Sequence, residues 1–145
     1  MLTVFDIGPW VIEADAAETR KQYEKPWDDR YRCDCANCRN FSEAMNLLPA
    51  EKTRLFTQFG IRPSVCHDLG EIGKENGRHH YAGSYPIVGR LGEGWPKSHI
   101  EKAGDIRFSF SLPSTRFFIP KDFPDPIIHL DFSLLLPWVL EEDAD

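Results

Sequence analysis

Apolar runs in this chain get no longer than Leu134-Leu135-Leu136, far too short to span a bilayer as a helix. The opening stretch, MLTVFDIGPWVIEAD, lacks a positively charged start and a continuous apolar segment, so it does not read as a secretory signal. Basic charge is nowhere segregated. Lys and Arg alternate with acids, the formal charge is −6, and the pI is near 5.3. A phosphate backbone would be repelled by that balance, which disfavours nucleic acid as a partner. Internal repeats and low-complexity tracts are missing. So are a phosphate-binding glycine loop, a G-x-S-x-G elbow, an H-E-x-x-H pair and an EF-hand loop. These absences point to a cytoplasmic chain that engages neither membrane nor nucleic acid and carries no familiar catalytic set.

What is present fits a single domain over residues 1–145, long enough to bury a core without staples. Hydrophobic residues at 41% and charged ones at 28% belong to a globular composition. Ten Phe, four Tyr and four Trp supply a core rich in aromatic area.

Thr3, Phe5 and Ile7, then Trp10, Ile12 and Ala14, alternate around Gly8-Pro9 and predict a hairpin. Asp15 fits a helix N-cap with Glu18 placed to complete a capping box; that helix must stop by Lys25, ahead of Pro26, anchored by Tyr23 and Trp27. A second helix runs from the cysteine cluster through Phe41, Met45 and Leu48 to Pro49. A third, over 50–59, closes at Gly60. The period then changes. Strands are expected at Val65–Ile72 and His79–Leu91 around a turn at 73–77, with Pro86 implying an edge or a bulge. Ile106–Leu112 and Ile128–Leu136 alternate most clearly, and the proline-rich link between them has room for a short strand at Phe117-Phe118-Ile119. The fold class is α+β: a single antiparallel sheet of about five or six strands, with two or three helices inserted after the N-terminal hairpin and packed on one face.

Cys33-x-Cys35-x-x-Cys38 gathers three of the four cysteines into six residues. Thiolates this close can converge on a soft metal, and zinc would take Cys33, Cys35, Cys38 and either Cys66 or His67. A plainer reading makes Cys35 and Cys38 small buried hydrophobes beside Phe41 and Met45. A third takes Cys35-Ala36-Asn37-Cys38 as a redox pair at a helix start. Among the histidines, His129 and Asp131 project on one side of a strand about 7 Å apart. His80, Tyr81 and Tyr85, with Tyr23, form the strip where a small ligand would be sought, since amphipathic rings suit such contacts.

Three blocks, Tyr31-Arg-Cys33-Asp-Cys35-Ala-Asn-Cys38-Arg-Asn40-Phe41, Gly77-Arg-His-His80-Tyr81 and Pro137-Trp138-Val139-Leu140, occur in an order that resembles an uncharacterised family of small bacterial or phage proteins. That family shares a C-x-C-x-x-C-x-N-F segment, a G-x-H-x-Y strand and a closing P-W-V-L. The resemblance implies one domain and a bacterial or phage origin; it brings no activity, and its pattern has no counterpart of Cys66 or His129. The expectation is a non-catalytic binding protein for a protein partner or small molecule, of the immunity-protein kind, working without a cofactor. The alternative is a metal- or thiol-dependent enzyme centred on Cys33, Cys35 and Cys38.

Overall fold

The computed structural model describes residues 1–26 and 33–143. Strands β1 (Thr3–Ile7) and β2 (Trp10–Ala14) form the expected hairpin, with Ile7 opposite Trp10 and Gly8 taking the positive φ of +54° that the two-residue turn requires. Asp15 then caps α1 (Ala16–Glu24), accepting the Glu18 amide at 3.0 Å. The capping box is only half formed. The Asp15 amide donates to the Val88 carbonyl at 2.8 Å, so it has no need of the Glu18 carboxylate, which instead accepts from Gln22. Trp27, expected to help anchor this helix, lies outside the described residues.

Helices α2 (Ala36–Leu47) and α3 (Ala50–Thr57) follow, separated by Pro49 as expected. Gly60 closes α3 at φ +85°, and a Cβ there would sit 2.1 Å from the Ala16 carbonyl oxygen. That clash fixes glycine at the point where the end of α3 meets the start of α1.

The remaining strands are β3 (Asp68–Glu75), β4 (Arg78–Leu91), β5 (Glu101–Ala103), β6 (Ile106–Ser111) and β7 (Ile127–Leu136). The antiparallel sheet has seven strands in the order β1-β2-β4-β7-β6-β5, with β3 also paired to β4. One strand more than expected arises because β5, only three residues long, shows no alternation to read. Strand β4 is the axis. Along one side it pairs with β7 from His79 to Val88, and along the other with β3 up to Ser84 and with β2 from Gly89.

Between β3 and β2 that second side of β4 has a gap, and α1 fills it. Thr19 Oγ1 accepts the Val88 amide at 3.0 Å and Tyr23 Oη donates to the Pro86 carbonyl at 2.8 Å. Pro86 is therefore neither at a sheet edge nor in a bulge. Its missing N–H faces the gap, on the same side as its carbonyl, where no ladder bond is lost.

The sheet curls. Trp10 of β2 packs on Phe108 and Phe110 of β6 at centroid distances of 5.9 and 5.3 Å, although two strands separate β2 from β6 in the sheet order. The concave side is plugged by Phe41 of α2, against Tyr81 and Phe132, and by Phe56 of α3, against Tyr85 and Phe132. Burying each such ring stabilises the fold by roughly 1.5–3 kcal/mol.

Several local expectations are corrected. The β3–β4 turn is two residues, Asn76 (φ +52°) and Gly77 (φ +78°), rather than five; Asn-Gly is itself the pair that takes both left-handed positions. A register shift between Glu71 and Gly73 absorbs the extra residue in β3, which starts at Asp68 rather than Val65. Residues 117–119 form no strand; only Ile119 is buried there, while Phe117 and Phe118 stay exposed. Strand β6 ends at Ser111, leaving Leu112 exposed rather than inward. Among the described residues, no helix is long and apolar enough to cross a membrane.

Candidate metal centre

Cysteine 35 is the N-cap of α2. Its sulfur accepts the Cys38 amide at 3.5 Å, and Cys33 places its own sulfur 3.0 Å from that of Cys35. The sulfurs of Cys33, Cys35 and Cys38 all lie within 4.8 Å of one another. This corrects the buried-hydrophobe reading: Cys33 and Cys35 are exposed and Cys38 is half-buried. The reason is position. A cap residue sits beyond the first turn, so the apolar face that begins at Ala36 does not reach it.

The three thiols are not equivalent. Hydrogen-bond contact with Cys35, and then with Cys38, favours the Cys33 thiolate and pulls that thiol below its ordinary range. Burial first, and the neighbouring sulfurs second, push Cys38 well above it. A tetrahedral zinc with Zn–S bonds of about 2.3 Å needs sulfurs about 3.8 Å apart. The trio lies near that spacing, close enough to hold a metal ion.

Cys66 does not join them. Its thiol donates to the carbonyls of Asp68 and Ser84 at 3.4 and 3.5 Å, and burial raises its pKa far above the ordinary thiol range. Among the described residues the group close enough to hold a metal ion contains Cys33, Cys35 and Cys38 alone, so the expected set completed by Cys66 or His67 is not assembled. Cys66 and His67 do line the same cleft as Cys33 and Cys38, a space of about 660 Å³. Its charged walls include Lys25, Arg39 and Arg62 as well as Glu24, Asp34 and Glu43.

A strap that the sequence reading missed closes one side. Arg39 donates to the Asp34 carbonyl at 3.2 Å and holds Glu142 through both of its terminal nitrogens, lowering the Glu142 pKa. Asn40 secures the same segment from within. Its Nδ2 donates to Tyr81 Oη at 3.2 Å and to the Pro137 carbonyl at 3.1 Å, while its Oδ1 accepts the Val139 amide at 2.7 Å. The signal available was a polar residue, Asn40, on the buried side of an otherwise apolar helix face.

The expected ligand strip is not one surface. Tyr81 and Tyr85 point into the core and His80 lies on the opposite face of β4. Each tyrosine hydroxyl is committed to backbone: Tyr23 to Pro86, Tyr81 to Asn37 at 2.9 Å and Tyr85 to Pro63 at 2.6 Å. They tie helices and loops to the sheet. On the convex face, Asp131 accepts from Ser84 Oγ at 2.5 Å and from Ser111 Oγ at 2.6 Å, bridging β4, β7 and β6. His129 stands on the same face with its pKa lowered, mainly by burial. The Asp131 carboxylate is thus occupied by serines rather than oriented toward an imidazole.

Fold and site together define an α+β protein with a curled antiparallel sheet and a thiol-lined cleft at the start of α2. No protein-family model, curated protein or solved structure matches the chain.

Proposed function

We propose that this is a binding protein whose thiol trio takes up a single soft metal ion, zinc being among the ions that thiolates select. The observation that carries the reading is the mutual approach of the Cys33, Cys35 and Cys38 sulfurs to within 4.8 Å at an exposed helix start. Three protein ligands leave a fourth position facing the cleft. A water, the His67 imidazole after a side-chain adjustment, or a group from a bound protein or small molecule would complete the tetrahedron. A reducing, cytoplasmic setting would keep the trio available for metal.

A second reading is a metal-dependent enzyme. What favours it is the cleft of about 660 Å³ beside the sulfurs, since three protein ligands with an accessible fourth site is the pattern of catalytic zinc.

Zinc titration of the reduced protein by calorimetry, with elemental analysis of the product, tests the proposal. One zinc per chain is expected, lost in Cys33→Ser and Cys38→Ser and retained in Cys66→Ser. Uptake that is absent, or that survives Cys38→Ser, overturns it.

A further inference from the structure

Away from the thiols, the curl of the sheet leaves a cavity where the β1–β2 hairpin tip approaches β5. Gly8 marks the approach: a Cβ built on it would lie 3.0 Å from Glu101 Cγ. The cavity measures about 720 Å³, within the usual range for small-molecule sites, and the mouth of a curled sheet is a common place for one. Its floor is almost wholly aliphatic, made by Leu48 and Leu55 from the helical side, Ile106 and Phe108 of β6, and Leu134 and Leu136 of β7.

The charged groups lie at the mouth. Lys52, Arg54, Arg78 and Lys102 all line the cavity and are exposed. Among the described residues, none of the four makes an ion pair or a side-chain hydrogen bond. Three carboxylates share the wall, and one of them, Glu101, is engaged by His99 at 2.6 Å. The wall therefore carries four cations against three acids, in a chain whose overall charge is −6. A floor without hydrogen-bonding side chains accepts plain hydrocarbon. Polar recognition is left to the rim, where Arg54 and Arg78 carry the planar guanidinium fork that suits a carboxylate.

We infer that this cavity binds a free medium-chain fatty acid, with its chain on the Leu/Ile floor and its carboxylate held at the rim by the guanidinium groups of Arg54 and Arg78. The site shares no lining residue with the thiol cleft, so it stands or falls apart from the metal proposal.

The test is calorimetric titration of the full chain with decanoate, dodecanoate and dodecanol, each below its aggregation threshold. Saturable binding at one ligand per chain is expected, with dodecanoate tighter than decanoate by about fourfold per added methylene. Arg54→Gln with Arg78→Gln should weaken dodecanoate at least tenfold and leave dodecanol unchanged. Ala103→Leu, which adds bulk to the cavity wall from β5, should weaken both ligands, with a thermal melt confirming that the variant is folded. Cys38→Ser should change none of these values. Absence of saturable binding overturns the inference, as does equal affinity for dodecanol and dodecanoate. Binding to anionic phospholipid vesicles without binding to free dodecanoate, or a dimer in sedimentation that Ala103→Leu dissociates, would give the cavity to a membrane surface or a second copy and would also overturn it.

Discussion

Single atoms decide most of what the cleft can do. Asn40 is fully buried, yet every polar atom of its side chain is used, and two of its three partners belong to the segment after β7. Asn40→Ala strands the Val139 amide and unties that segment; a cost of about 2–3 kcal/mol is expected in urea denaturation. The thiols carry a second prediction. Burial keeps Cys38 protonated well above its ordinary range, so a metal binding there must expel a proton. Zinc affinity is therefore expected to fall as pH falls through the neutral range, with proton release at uptake. Titration in buffers of different ionisation enthalpy counts those protons, and pH-independent affinity would contradict the assignment. That three cysteines sit together was legible from their spacing. Their exposure was not, because it depends on Cys35 being the cap of α2 rather than part of its buried face.

Among the elements, α1 is the one whose role the chain conceals. It acts as a substitute strand, supplying Thr19 and Tyr23 to the stretch of β4 that neither β3 nor β2 reaches. Thr19→Val keeps the shape and leaves the Val88 amide buried without an acceptor. A loss of about 1–3 kcal/mol is expected, largely restored in Thr19→Ser, which keeps the hydroxyl; equal stability of the valine variant would refute the role. The helix bounds themselves were readable, since Asp15, Pro26, Pro49 and Gly60 are local stop and start signals. The reading of Pro86 as an edge or bulge failed because the gap beside it is made by residues from three distant parts of the chain. The missed β5 had too few residues to show a period.

At the scale of the molecule, the fold holds several protons unusually tightly. Burial raises Tyr23 and Tyr85 well above the ordinary phenol value of 10.0, and Cys66 and Cys38 above the ordinary thiol value of 9.0. The unfolded chain then binds fewer protons than the folded one once pH passes those values. The stability these groups contribute is complete below pH 9.0 and declines above it, by about 1.4 kcal/mol per pH unit for each group that ionises only on unfolding. Thermal melts from neutral pH to strongly alkaline pH should show this decline, and Cys66→Ala should make it shallower; a flat profile would contradict it. The chain's own text determined the α+β class, the helix limits and the alternation of β6 and β7, because caps, prolines and period-two patterns act between near neighbours. Only the tertiary structure decided that the sheet curls until Trp10 meets Phe110, that Cys66 turns away from the other thiols, and that a cavity opens beside Glu101. Each of these depends on which distant surfaces are pressed together, and no local spacing records that.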